Sequence, residues 1–181
     1  MRKIFIDGGG NWKKIVDRYL ALAEFDKIYV FEPNPIFYNS YEASDYDLIR
    51  KAIWIEDMKS NFFISKDTNQ VASSLLKEKL CKVDGSLVSD YWFDPIEVEC
   101  VNFSNWIFKN FNKEEDEITL KLDIEGAEYK VLPHMIETGA ISFLNKLFVE
   151  FHSDTLPDKK GLELEIIEKI NSFGIEVLDW D

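Results

Sequence analysis

The sequence is poor in the residues that build metal and redox centres. It holds two cysteines, Cys81 and Cys100, and two histidines, His134 and His152. The cysteines form no CxxC pair, and so few histidines cannot help them complete a zinc site. Both read as reduced, packed thiols. Long apolar runs are missing too: none approaches the ~20 residues that cross a bilayer, so no membrane span is expected. No signal peptide is expected, because Met1-Arg2-Lys3-Ile4-Phe5-Ile6 meets Asp7 and three glycines too soon, and a cytoplasmic location is the expectation. Positive charge is in deficit, with 21 Lys and Arg against 34 Asp and Glu and a net charge of −13. A field of that sign repels phosphate backbones and argues against a nucleic-acid partner. Repeats, low-complexity tracts and interdomain linkers are also absent, so the chain reads as one domain over residues 1–181.

What is present is alternation. Lys3 to Asp7 reads as a strand, and Asn11 to Glu24 as a helix with Ile15, Val16, Tyr19, Leu20 and Leu22 at helical spacing. Lys27 to Phe31 is a second strand, closed by Glu32-Pro33-Asn34-Pro35. A short helix over Ile36 to Ala43 leads to a third strand within Asp47 to Ile55. Asn61 to Ser65 reads as an extra strand, Ser73 to Lys82 as a short helix and Ser86 to Pro95 as a loop. Ile96 to Val101 is a strand and Ser104 to Asn110 a helix. The charge run Lys113 to Glu117 reads as a solvated turn before a strand at Ile118 to Ile124. A helix at Gly126 to Thr138, a strand at Lys146 to Phe151, a helix at Leu162 to Phe173 and a strand at Ile175 to Leu178 complete the chain. Short β-rich runs alternating with amphipathic ones predict an α/β fold: a doubly wound, mostly parallel sheet with helices on both faces.

Two segments carry chemistry. The first is Asp7-Gly8-Gly9-Gly10-Asn11, between a predicted strand and a predicted helix. Glycines there permit a sharp turn and a close backbone approach to a ligand, and helix-start amides face the crevice. Glu32, at the end of the second strand, is placed to accept hydrogen bonds from ribose hydroxyls. A dinucleotide fingerprint wants a third glycine where Lys13 stands, and Asp7 sits awkwardly beside a pyrophosphate. Asp7 suits the ammonium and sulfonium of S-adenosylmethionine better. A tight turn with no ligand is the plain alternative.

The second is Leu120-Lys121-Leu122-Asp123-Ile124-Glu125-Gly126-Ala127-Glu128. Strand alternation puts Asp123 and Glu125 on one side. The pair is suited to contact a cofactor, bind a divalent cation through oxygen, or accept a hydroxyl proton; capping the next helix is the alternative. Glu150 and His152 end the following strand, where His152 is a candidate proton acceptor and Glu150 its orienter. A structural, hydrogen-bonded histidine is equally consistent. Tyr91-Trp92-Phe93, Trp54 and Trp106 are candidates for a ring-accepting pocket, with core packing as the alternative.

Together these segments resemble the FkbM family of methyltransferases, within the Rossmann-like class that uses S-adenosylmethionine. The matching pieces are FIDGGGNW near residue 5, VFEPNP at Val30 to Pro35, Ala52-Ile53-Trp54, Ser73-Ser74-Leu75, LKLDIEGAEYKVL from Leu120, and FVEFH ending at His152. The resemblance implies that Asp7, Gly8, Gly10 and Asn11, with Gly9 among them, cradle the methionine part of the cofactor. It implies that Glu32 binds ribose, that Pro33 and Asn34 lie against the adenosine, and that Ala52 and Ile53 flank adenine. Asp123 falls beside the reactive methyl group and Glu125 completes D-x-E-G. The implied activity is O-methylation of a small-molecule or glycan acceptor, on a sugar, lipid or secondary metabolite, with Asp123 or His152 taking the proton. Two departures go with the resemblance: the glycine motif begins almost at Met1, and one terminal strand replaces the usual antiparallel pair. The expectation is therefore a domain shortened at both ends, with a non-catalytic S-adenosylmethionine-binding subunit as the alternative and a nicotinamide-dependent reductase behind it.

Overall fold

A computed structural model describes residues 1–20 and 23–180, without the side chains of Ile15, Arg18 and Tyr19. Leu22, assigned above to the first helix, lies outside the described residues, as do the side chains of Ile15 and Tyr19. The chain opens with β1 (Arg2–Gly8), α1 (Lys13–Leu20) and β2 (Lys27–Phe31), then a 3-10 helix at Pro35–Tyr41. Next come β3 (Asp47–Ile49), β4 (Ala52–Trp54), β5 (Met58–Phe62), β6 (Cys81–Val83), β7 (Ser86–Val88) and β8 (Ile96–Asn102). The second half is α2 (Phe103–Asn110), β9 (Asp116–Leu122), α3 (Glu128–Thr138), β10 (Leu144–Val149), α4 (Leu162–Asn171) and β11 (Glu176–Asp179).

The main sheet has the order β11-β10-β9-β1-β2-β3, and every pairing in it is parallel. Reversal of strand order next to β1 makes this a doubly wound sheet, and such sheets bind ligands at the carboxyl ends beside that switch. Ile4 and Ile6 of β1 and Ile118, Leu120 and Leu122 of β9 are fully buried in one core with Phe103, Ile107, Leu132 and Met135 of α2 and α3. Alternation turns Phe5 to the other face, where it meets the Phe25 ring at 5.1 Å. Gly139, left-handed at φ 82°, ends α3 as its capping residue. No helix among the described residues is long and apolar enough to cross a membrane.

Several local expectations are corrected. The third strand divides: β3 stays at the edge of the main sheet, whereas β4 joins a separate three-stranded sheet, β4-β8-β5. The segment Ser73–Lys82 forms turns and the start of β6 rather than a helix, and Ser86–Pro95 contributes β7 of a hairpin rather than only loop. The run Lys113–Glu117 is not wholly solvated, because Asp116 opens β9, is buried, and holds the Arg2 guanidinium at 2.8 Å. The tip of the Asp123–Glu125 segment has left the strand, since β9 ends at Leu122 and Glu125 takes a left-handed φ of 56°.

The glycine turn is dictated by packing before any ligand is considered. At Gly9, φ is 83° and a Cβ would stand 1.8 Å from the Asp123 carbonyl oxygen; at Gly10 it would stand 2.2 Å from Val30 Cγ1. The turns after β1 and β9 therefore touch through bare backbone. Gly9→Ala is expected to cost about 3 kcal/mol or more, combining left-handed strain with overpacking against main chain. Urea melting of the variant checks this, and a midpoint equal to the wild type would contradict it.

Candidate active site

A cleft of about 560 Å³, its mouth included, opens at the carboxyl ends of β1, β2 and β9. Gly9 and Asn11 from the first turn, with Glu32, Pro33 and Asn34 from the second, line one side. Ala52 and Ile53 of β4 line the cleft too, as do Asp123, Ile124, Glu125 and Ala127. Nine-tenths of Glu32 is out of solvent, and its two oxygens accept the backbone N–H groups of Asn11 (2.8 Å) and Asn34 (2.6 Å). Burial pushes its pKa up to about 7, against the lowering pull of those two N–H donors.

Asp7, Gly8 and Gly10 are not on the cleft wall. Asp7 is buried beneath the turn, and the cation it meets is protein: Lys121 Nζ stands 3.1 Å from its Oδ1. The same ammonium lies 3.3 Å from Asp123 Oδ2 and donates to the carbonyl of Gly9 at 2.7 Å. Burial opposes charge on Lys121, but Asp7 and then Asp123 outweigh it and hold its pKa above the usual lysine value. Burial in turn raises the Asp7 pKa, with Lys121 opposing. The Asp7 carboxylate is thus directed at Lys121, behind the cleft wall.

The amides of the first turn are also committed. Gly9 and Gly10 both donate to the Phe31 carbonyl. At the start of α1, Asn11, Trp12 and Lys13 donate to side-chain oxygens of Glu32, Asn11 and Ser40. These groups do not face the crevice as free donors, and a pyrophosphate would have to displace them.

His152 lies behind Asp123 and Glu125, off the cleft wall and buried. Its Nε2 is 3.3 Å from Glu125 Oε2, 3.8 Å from Asp123 Oδ1 and 3.9 Å from Glu150 Oε1, and its Nδ1 is 3.4 Å from Glu128 Oε1. Burial disfavours the charged ring, yet Glu128, Glu125 and Asp123 prevail and hold its pKa up at about 9. That shift favours the protonated ring, a cation between carboxylates, over the proton acceptor expected from the sequence.

A family model described as the methyltransferase FkbM domain matches residues 10–177. The chain belongs to the FkbM methyltransferase family. No curated protein and no solved structure matches it.

This FkbM domain also uses residues that sequence reasoning did not assign. Glu128 is fully buried, and its carboxylate accepts the N–H groups of Ile124 (2.6 Å) and Gly126 (2.8 Å), folding the D-x-E-G turn around itself. Phe31, Phe37 and Phe62 add rings to the cleft wall, and Gln70, Val71, Ser73 and Leu75 complete it from the long segment between β5 and β6. Lys121 carried a signal, a charge inside an apolar strand; Gln70 and Val71 carried none. The rings proposed for a ligand pocket lie elsewhere. Trp106 packs on Tyr29, Phe31, Phe103 and Phe111, and Trp92 packs against Phe63. Tyr91, Phe93 and Trp54 are likewise not on the wall.

Among the described residues, Asp123, Glu128 and His152 bring ligand-type atoms within 4.8 Å of one another. Glu128 accepts two backbone N–H groups and meets His152 Nδ1 at 3.4 Å, so the protein itself accounts for this grouping and we assign no divalent cation to it.

Lys121→Met should leave Asp7 charged, buried and unpaired, at a cost of about 3–5 kcal/mol near neutral pH. Because burial raises the folded-state pKa of Asp7, protonation relieves the lone charge as pH falls. The penalty should therefore shrink on acidification, as denaturant melting of the variant and wild type at pH 5 and pH 8 would reveal. A pH-independent penalty would contradict the pairing.

Proposed function

We propose that this FkbM domain binds S-adenosylmethionine in the cleft and methylates a hydroxyl of a small-molecule or glycan acceptor, on a sugar, lipid or secondary metabolite. The observation that carries the reading is the charge of the wall. Among the described residues, Glu32, Asp123 and Glu125 line it, and no lysine, arginine or histidine does. Three carboxylates favour a ligand with cationic sulfur and nitrogen, and disfavour a pyrophosphate. The committed amides at the first turn weigh against a nicotinamide dinucleotide for the same reason.

The residues present fit the cofactor. Glu32, with Asn34 beside it, is the candidate partner for ribose hydroxyls, as an acid at the end of the second strand of a doubly wound sheet. Ala52, Ile53, Phe37 and Leu75 offer apolar surface of the kind an adenine ring requires. Asp123 and Glu125 supply further negative charge on the wall. When bound, S-adenosylmethionine supplies an electrophilic methyl group. The contribution of this chain is to orient the acceptor and take its proton. Asp123 is our candidate for that task, because it lies on the wall beyond the end of β9.

Calorimetry should detect S-adenosylmethionine and its demethylated product and no NAD; a preference for NAD would overturn the reading. Free Glu32, with a pKa near 7, must lose its proton to serve as an anionic acceptor. Affinity for S-adenosylmethionine is thus expected to be about tenfold lower at pH 6 than at pH 8. Glu32→Gln should remove that part of the profile, leaving the titrations of Glu125 and of the ligand itself. For turnover, an acceptor would be found by screening hydroxylated metabolites for release of the demethylated cofactor. Asp123→Asn should then slow turnover by about 100-fold or more, with cofactor affinity changed far less.

A further inference from the structure

Glu125 is gripped from outside the parallel sheet. Its left-handed backbone is pinned by Ser74, whose Oγ donates to the Glu125 carbonyl at 2.7 Å. Its side chain is pinned by Lys79, whose Nζ stands 2.6 Å from Oε2. The Lys79 side chain is 2% exposed, against 19% for that of Glu125. The same ammonium reaches the Ala72 carbonyl at 3.3 Å, and the next residue, Leu80, donates its N–H to the Thr155 carbonyl. Between these grips, Leu76 and Leu156 flank Gly126, where a Cβ would meet Leu156 Cδ1 at 2.5 Å and Leu76 Cδ1 at 3.2 Å. The segment that carries Ser74 and Lys79 also supplies Gln70, Val71, Ser73 and Leu75 to the cleft wall.

A buried lysine is expensive unless an anion meets it, and a carboxylate in the same place is expensive unless a cation does. Each group here makes the other tenable. We propose that Lys79 is a positioning residue of the site: its ammonium holds Glu125 against the cleft in charged form, so that seating of the segment between β5 and β6 sets the charge the cleft presents to its ligand. This rests on the reading that the cleft takes S-adenosylmethionine.

The groups that face Glu125 come from several elements. Lys79 approaches from the β5–β6 segment, His152 Nε2 from beyond β10 at 3.3 Å, and Asp123 from its own turn. The Cys81 thiol of β6 is also near enough to feel it. Glu128 and Glu150 act on it through His152. Burial raises the Glu125 pKa to about 7 against the opposing pull of Lys79 and then His152, while Asp123 adds to the rise, so the charged share near neutral pH depends on Lys79. Without Lys79, a single ring shared among four carboxylates would remain to keep Glu125 ionised.

The test compares wild type with Lys79→Met, which keeps the length and drops the charge, and Lys79→Arg, which keeps the charge. Calorimetry from pH 6 to pH 9 gives affinities for S-adenosylmethionine and for its demethylated product, whose sulfur is neutral. Their ratio reads the charge near sulfur and cancels losses common to both ligands. In Lys79→Met the ratio should fall about tenfold at pH 7 and recover toward wild type at pH 9; Lys79→Arg should restore it. A ratio equal to wild type at every pH, or lowered equally at every pH, would overturn the proposal. Wild type that binds neither ligand would instead sink the cofactor reading. The second measurement needs no ligand: carboxyl carbon NMR, with Glu125 assigned by the signal lost in Glu125→Gln. Its titration midpoint should rise by about one pH unit or more in Lys79→Met. If that variant does not fold, Lys79→Gln takes its place. An unmoved midpoint overturns the role of Lys79 whatever the ligand proves to be.

Discussion

One buried ammonium holds the two chemically important turns together. Lys121 is a buried cation of a central strand, and it lies between a carboxylate of β1 and a carboxylate just beyond β9. Its hydrogen bond to the Gly9 carbonyl fixes the glycine turn, and the Trp180 ring covers it with its centroid 5.1 Å away. Desolvating such a cation is tolerable only where anions and carbonyls surround it, so the position of the ammonium and the course of both turns specify one another. Asp123 owes its place on the cleft wall to this arrangement.

The polarity of the site has two layers. Carboxylates face the cleft, and basic groups stand behind them: Lys121 behind Asp123, Lys79 and His152 behind Glu125. Part of the negative charge is therefore met within the protein, while the charged groups that the described wall offers to a ligand are all acidic. The interior helps to maintain this by committing its donors. Glu128 absorbs the amides of the D-x-E-G turn, and Glu32 absorbs those at the head of α1 and of the 3-10 helix.

Sequence patterning exposed the parts of the fold ruled by periodicity and glycine. The strand Lys27–Phe31 appears with the bounds expected of it, and strands and helices alternate as anticipated into a parallel, doubly wound sheet. Glu32, Asn34, Ala52, Ile53, Asp123 and Glu125, singled out from strand ends and motifs, line one cleft. The stretch from Asn61 to Pro95 was opaque because its order comes from side chains tied to nearby backbone. Asp67, for example, accepts the N–H groups of Asn69, Val71 and Ala72, a knot with no repeating period. Asp7 and His152 were read as ligand-facing because a sequence shows that a charge is present, and not which protein charge it will meet.

The contact between Gly9 and the Asp123 carbonyl has a consequence for how the molecule comes into being. The floor of the cleft is made by two turns more than a hundred positions apart in the chain, and neither is shaped without the other. A nascent polypeptide that has delivered only β1 to β4 has no pocket, and small-molecule binding cannot stabilise it at that stage. Any help a ligand gives to folding arrives only after the second half has closed over the first.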